Sequence, residues 1–331
     1  MNVRRSLSTA SVAGAAVLGL VTLSACGGSS TADGKNKDGK LDVVTSFYPM
    51  QFLAERIGGE HVAVSTLTKP GAEPHDVDLT ARQTAELQDA GLILYLPGVQ
   101  PAVDDAIKQA DVRHTVDAAA LTTLESHGAG ADGHDHGGEH ADEHGTDEHG
   151  HEAEGDSATG DPHIWLDPVK YAEVARGVGD SLAKADPDHA ADYRKNAADL
   201  AKQLDALHAK FEEGLKNSDT RTFITTHSAF GYLAERYGLD QEGIAGLDPE
   251  SEPSPARIKE LQDVARRDGV TTVFFETLAS DKTAKTLAKD TGLKTDVLDP
   301  LEGITDKSAG ADYFEVMEAN LAALQKALGA K

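Results

Sequence analysis

From Leu41 onward, short apolar runs alternate with amphipathic segments. LDVVTSF (41–47), HVAVSTLT (61–68), LILYL (92–96) and VRHTVD (112–117) read as strands, being brief, rich in β-branched residues or leucine, and mostly bounded by turn formers. Between them YPMQFLAERIGG (48–59), LTARQTAELQDAG (79–91) and VQPAVDDAIKQA (99–110) place apolar residues three and four apart and read as helices. Strand–helix alternation of this kind predicts a parallel sheet covered by helices. The pattern stops between about Leu124 and Gly160, where the composition predicts a disordered loop over 124–160. Order resumes with two helices, 168–185 and 187–216. Asp167-Pro168 and Asp186-Pro187 each set an N-capping acid before a proline at the first helical position. The second helix, about 30 residues or roughly 45 Å long, suits a rigid connector.

The remaining chain repeats the logic of the first part. RTFITT (221–226), LDQEGIAG (239–246), TTVFFE (271–276) and KTDVLD (294–299) read as strands. SAFGYLAERYG (228–238), SPARIKELQDVARRDG (254–269), SDKTAKTLAKDTG (280–292) and a last segment near 310–328 read as helices. No close sequence repeat relates the halves. The expected fold class is α/β, with two lobes, each a mostly parallel sheet flanked by helices, joined by one long rigid helix. The expected boundaries are an N-terminal lobe over 41–186, the connecting helix over 187–216 and a C-terminal lobe over 217–331.

The start has a different pattern. Arg4 and Arg5 precede an apolar run to Leu23, and Leu23-Ser24-Ala25-Cys26 closes it. This is the layout of an export signal over 1–25, and its end resembles a bacterial lipobox, in which Cys26 becomes the lipid-bearing first residue. Residues 26–40 read as a polar tether. The Arg pair leaves a twin-arginine signal open. Cys26 is the only cysteine, so the core has no internal disulfide and no cysteine-based zinc site. The formal charge is −25, and loss of Arg4 and Arg5 takes it to −27. A chain so acidic repels nucleic acid and anionic lipid and concentrates cations. Ten of its acids, with no Lys or Arg, lie in residues 127–156.

On this map His75 follows strand 61–68, His227 sits where strand 221–226 turns into a helix, and His163 lies between the loop and helix 168–185. Glu276 ends strand 271–276 and Glu302 follows strand 294–299. Ligands of open α/β sheets bind beyond the carboxyl ends of the strands. Three imidazoles and one carboxylate make a full tetrahedral shell for Zn2+, and a nitrogen-rich set suits zinc better than the oxygen-seeking Mn2+, Mg2+ or Ca2+. A single His after a strand is nonetheless more often a surface or capping residue, and either acid is placed to be the fourth donor.

The segments GAEPHDVDLT, DPHIWLDP, THSAFGYLAERYG and FFET…DPLEGIT, in that order, resemble the solute-binding lipoproteins of bacterial ABC importers for zinc and manganese. The likeness runs from about Leu41 to the end. It implies two α/β lobes joined by one long helix with metal held between them, and His75, His163, His227 and Glu302 as its ligands. Glu276 then supports the site by hydrogen bonding. Glu73 stays outside the ligand set. Manganese carriers of the family place a carboxylate where His227 stands, which favours zinc. The resemblance also implies an ABC permease as partner, a location outside the cytoplasm at the membrane surface, and no enzyme activity. The chain is expected to be a monomer.

Zinc importers of this family often carry a His-rich insertion where GHDHGGEHADEHGTDEHGHE (133–152) lies. His127, His134, His136, His140, His144, His149 and His151 are expected to form an accessory, weaker metal-collecting loop. Trp165 and Phe230 are expected to pack beneath the site. His61, His114, His189 and His208 are expected to be ordinary surface or core residues. Three other readings remain open: a manganese or iron carrier, a zinc hydrolase with Glu276 as base and water as fourth ligand, and a zinc-dependent surface adhesin or zinc store.

Overall fold

The computed structural model describes residues 34–110, 112–127 and 160–331. The export signal, Cys26, the first part of the tether and His134, His136, His140, His144, His149 and His151 lie outside the described residues.

Strands β1 (Leu41–Thr45), β2 (Val62–Thr66), β3 (Leu92–Tyr95) and β4 (Thr115–Asp117) form a sheet of order β2-β1-β3-β4. Helices α1 (Tyr48–Gly58), α2 (Ala81–Asp89) and α3 (Pro101–Gln109) make its crossovers. The second lobe repeats this order as β6-β5-β7-β8. Its strands are β5 (Thr222–Thr225), β6 (Asp240–Gly243), β7 (Thr272–Phe275) and β8 (Lys294–Val297). Its crossovers are α6 (Gly231–Tyr237), α7 (Pro255–Arg267) and α8 (Lys282–Thr291). Every strand pairing within the two sheets is parallel. Between the lobes run α4 (Pro168–Ala185) and α5 (Ala190–Leu215), and α9 (Tyr313–Leu328) closes the chain.

The central strands β1, β3, β5 and β7 are buried on both faces, and their alternation divides the molecule into three apolar layers. Val43, Leu92 and Leu94 face one core while Val44 and Ile93 face another, against Leu87 of α2 and Val103 of α3. Likewise Phe223 and Phe274 face the first core while Ile224 and Val273 pack against Leu261 of α7 and Leu287 of α8. The first core is common to both lobes. It runs from β1 through α1, α4, α5 and α9 to β5 and β7. Tyr193, Leu200, Leu204, Leu207, Phe211 and Leu215 put one stripe of α5 into it, so this helix is a spine packed against both halves.

Local chemistry explains most of the helix ends. Thr80 and Gln83 form a reciprocal capping box at the start of α2. Asp167 accepts from the Val169 N–H at 2.9 Å and caps α4, whose bounds are those the sequence predicts. The long helix differs from the expected 187–216. Pro187–His189 is a tight turn, and the α-helix starts at Ala190 and has 26 residues. The reason lies in Asp186. Its carboxylate makes no cap; it accepts from His189 Nδ1 (2.7 Å) and Tyr193 Oη (2.8 Å) and pairs with Lys35 (2.7 Å). That Lys35 contact holds Gly34–Lys40, the described part of the tether, against the body. A Cβ on Gly34 would lie 2.3 Å from the Gly91 Cα, so the close approach there requires glycine. Among the described residues no helix is long and apolar enough to cross a membrane.

Candidate metal centre

Four loops beyond the carboxyl ends of the strands, or leading into α4, meet between the lobes. The loop after β2 carries His75. Its backbone is held by Gln100, whose Nε2 donates to the Pro74 carbonyl (3.2 Å) and to Thr68 Oγ1 (2.8 Å); Thr68 in turn donates to the Ser46 carbonyl at the end of β1 (2.8 Å). His163 opens the 3-10 turn Ile164–Leu166 that leads into α4. His227 follows β5, with its carbonyl accepting from Thr225 Oγ1 (2.6 Å) and Gln241 Nε2 (3.1 Å). Glu302 follows β8. There Asp299 accepts from the Leu301 N–H at 2.9 Å, and Asn320 of α9 clamps the Asp299 backbone at 2.9 and 2.7 Å. Leu301 has φ 59°, the only left-handed non-glycine among the described residues, and this strained position turns Glu302 inward.

The Nε2 atoms of His75, His163 and His227 lie 3.6, 3.5 and 3.4 Å from Glu302 Oε1. Every donor of this set lies within 4.8 Å of the others. His163, His227 and Glu302 are buried, and His75 is the member nearest solvent, at 12% side-chain exposure. None of the three Nε2 atoms and neither Glu302 oxygen has a hydrogen-bond partner with acceptable geometry, although all are buried. Orphaned polar atoms converging on one point need a cation to offset their desolvation. A tetrahedron with arms of about 2.0–2.1 Å, usual for zinc with nitrogen and oxygen, has edges of about 3.3–3.4 Å. The observed separations from Glu302 fit an ion of that size.

The outer nitrogens of two of these histidines are committed. Asp161 Oδ1 accepts from His163 Nδ1 (2.7 Å) and from the His163 backbone N–H (2.9 Å). Glu276 Oε1 accepts from His227 Nδ1 (2.8 Å) and from Thr226 Oγ1. A histidine that donates from Nδ1 turns the Nε2 lone pair inward, which is the arrangement metal-binding imidazoles require. Glu276 therefore touches His227 from behind and stays outside the ring of converging donors. Glu73 sits two residues before His75 as Asp161 sits two before His163. In both, the carboxylate accepts the histidine's backbone N–H, at 3.3 Å for Glu73.

The electrostatics are those of a site built for positive charge. Burial would lower the pKa of His163 and His227, but the charges and hydrogen bonds of Asp161 and Glu276, with that of Glu302, hold both above the ordinary histidine value. Burial would raise Glu302, yet contacts with His163, His227 and His75 hold it well below the usual carboxylate range. Burial, and the negative charge of Glu302 next to it, push the Glu73 carboxyl up to about 9. A cavity of about 260 Å3, lined by His75, Gly98, Pro162, Leu247 and Asp248 among others, leads from His75 between the lobes. The larger hollows at Lys35–Asp186 and Pro70–Gly310 contain no comparable convergence of donors.

Sequence reasoning missed Asp161 and placed His127 wholly within the collecting loop. The structure instead fixes His127 beside the centre, with Nδ1 at 3.0 Å from Asp161 Oδ2 and its ring edge-on to Tyr232. Trp165 and Phe230 are buried, and Trp165 lies 5.1 Å from the His163 ring. His61 stacks on His189 and His208 on Tyr237, away from the centre.

Two parallel α/β lobes on a helical spine, with a His3Glu cluster between them, define a class of metal-binding proteins. The chain matches the family described as "ZnuA: Zinc-uptake complex component A periplasmic" over residues 43–327, and it belongs to that family. It is 37% identical over 300 residues to the zinc-binding lipoprotein AdcA of Streptococcus pneumoniae, a match that spans 88% of this chain and 56% of AdcA. The chain thus spans about half the length of that relative. It is 37% identical over 310 residues to the high-affinity zinc uptake system protein ZnuA of Bacillus subtilis, covering 92% of this chain and 93% of that one. The crystal structure of the Zn(II)-bound ZnuA-like domain of S. pneumoniae AdcA superposes with a TM-score of 0.69 at 33% identity, covering 88% of this chain and 99% of that domain.

Proposed function

We propose that this protein captures Zn2+ outside the cytoplasm and delivers it to the permease of an ABC importer. The observation that carries this reading is the buried set of three imidazole nitrogens and one carboxylate oxygen with no other partner, 3.4–3.6 Å apart along the Glu302 edges. His75, His163, His227 and Glu302 are its zinc ligands. Asp161 and Glu276 orient His163 and His227. Zinc is favoured over manganese because the set is nitrogen-rich. A carrier is favoured over a hydrolase because Glu302 stands in the fourth position that a catalytic zinc keeps open for water. Zinc-limited cells lacking the natural protein should recover zinc uptake with the unaltered chain and not with a His163→Ala, His227→Ala variant. Equal uptake by both would refute the reading.

The remaining assignments rest on sequence pattern and on the lipoprotein name of the pneumococcal relative. Residues 1–25 act as the export signal, Cys26 carries lipid, and residues 26–40 lead to the folded body, which acts as a monomer. Residues 41–186 and 217–331 are the lobes and 187–216 the connector. The histidines of 134–151 collect zinc weakly near the centre. Fatty-acid labelling that persists after Cys26→Ser would remove the anchor from this account.

A further inference from the structure

A second cluster of donors lies where Glu125–His127 leaves the N-terminal lobe and passes α6. His127 Nε2 is 2.7 Å from Glu235 Oε2 and 3.9 Å from Glu125 Oε2. The three donor atoms lie within 4.8 Å of one another. We propose that Glu125, His127 and Glu235 form a second binding site for a divalent transition-metal ion such as Zn2+, distinct from the His75–Glu302 centre.

Four observations support it. First, His127 Nδ1 faces a carboxylate at 3.0 Å while Nε2 faces another at 2.7 Å. A neutral imidazole has one N–H and Asp161 takes it, so the Nε2–Glu235 contact holds either a proton, in the direct 2.7 Å hydrogen bond, or a metal ion, for which the largely exposed Glu235 side chain moves out to a tetrahedral edge of about 3.3–3.4 Å. Second, Asp161 orients His127 as it orients His163. Its Oδ1 takes the Nδ1 of His163 and its Oδ2 the Nδ1 of His127, so one buried carboxylate aims two imidazoles at two different points. Third, the ring is fixed in place. A Cβ on Gly231 would lie 2.4 Å from the His127 Cβ, and Tyr232 Oη accepts from the Glu125 N–H and donates to the Asp161 carbonyl, each at 2.8 Å. Fourth, the charge favours a cation. Lys170 Nζ takes Glu125 Oε1 at 2.6 Å and two Thr123 oxygens, which leaves Oε2 facing His127. Arg236 is held by Asp167. Glu125 and Glu235 against Lys170 leave a net charge of about −1, and Asp161, shared with His163, adds to the negative field, so the cluster attracts a cation. Because Glu235 belongs to α6 and Glu125 to the other lobe's exit, a metal ion here ties the two together.

The test is a zinc titration of the full chain with His134, His136, His140, His144, His149 and His151 replaced by Asn, which removes competing imidazoles. The expected result is two equivalents of zinc. Glu235→Gln and, separately, His127→Asn should weaken the second by at least about tenfold and leave the first unchanged. Cobalt substitution gives an independent readout, since only the second ion's absorption should change in Glu235→Gln. A single equivalent in the parent chain that His163→Ala, His227→Ala abolishes, or a second equivalent insensitive to both substitutions, would overturn the proposal and assign the extra cation to a proton on His127. A single equivalent that Glu235→Gln abolishes and His163→Ala, His227→Ala leaves intact would instead count against the proposed transport site, so the two failures are distinguishable.

Discussion

The indole Nε1 of Trp165 donates to the carbonyl of Pro300 at 2.7 Å. Trp165 lies two residues after His163, and Pro300 two before Glu302. The Trp165 carbonyl also accepts from Tyr313 Oη of α9 at 2.6 Å. One buried side chain therefore sets the spacing between a donor loop that leads into the spine and a donor loop that belongs to the second sheet. Trp165→Phe keeps much of the packing and leaves the Pro300 carbonyl buried without its donor. A lost buried hydrogen bond costs about 1–3 kcal/mol, and part of that cost falls on the metal-bound geometry. Zinc affinity should fall about tenfold, with a folded protein by circular dichroism. Unchanged affinity would show that the two loops are positioned independently.

Asp161 and Glu276 act on the metal through His163 and His227. Asp161→Asn and Glu276→Gln keep size and shape but remove charge. Each should lower zinc affinity by about 10–100-fold while leaving far-UV circular dichroism unchanged. Competition with a chelator of known affinity measures this directly.

The pH dependence follows from the shifts at the centre. His163 and His227 are held above the ordinary histidine value and Glu302 below the ordinary carboxylate value. Raised histidines stabilise the metal-free fold below their unfolded value, and that contribution disappears as pH rises through their folded values. The depressed Glu302 stabilises it above the ordinary carboxylate value, and that contribution is lost as pH falls through its folded value. Zinc must displace the imidazolium protons, so affinity should fall about tenfold per pH unit for each proton released as the solution is acidified. Titrations from pH 8 to pH 5 in buffers of different ionisation heat give both the slope and the proton count. A flat profile would contradict the electrostatic account.

The common core makes a thermodynamic prediction. Leu204, Phe211 and Leu215 of α5 share one apolar cluster with β1 and with β5, so the lobes should unfold together. Denaturant melts followed by Trp165 fluorescence and by far-UV circular dichroism should coincide. Leu204→Ala, a cavity at a fully buried position, should destabilise by about 2–5 kcal/mol in that single transition. Two separated transitions would show that each lobe has its own core.

What the sequence made legible follows from how local each signal is. The bounds of α4 were readable because Asp167 and Pro168 fix its start within two residues. The placement of His75 and His227 was readable because both follow apolar strands, whereas Glu276 and Glu302 each follow a strand and only the family resemblance favoured Glu302. Asp161 went unnoticed, although the acid two residues before His163 repeats the spacing of Glu73 to His75 and was available as a signal. Asp186 misled, since its Asp-Pro pair reads as a cap while its carboxylate answers Lys35, a residue 151 positions away in sequence. His127 was assigned by composition, yet Tyr232 and Asp161, both distant in sequence, hold it. The left-handed backbone at Leu301 carried no warning, because leucine is not a residue that marks such positions. Strand–helix alternation predicted parallel sheets covered by helices, but not that the inner faces of both sheets meet across α5.

The most direct test of the central claim is a crystal of the zinc-loaded protein measured on both sides of the zinc absorption edge. The account predicts a strong anomalous peak about 2.0–2.2 Å from His75 Nε2, His163 Nε2, His227 Nε2 and a Glu302 oxygen. Full occupancy elsewhere, with no peak among these four atoms, would contradict it.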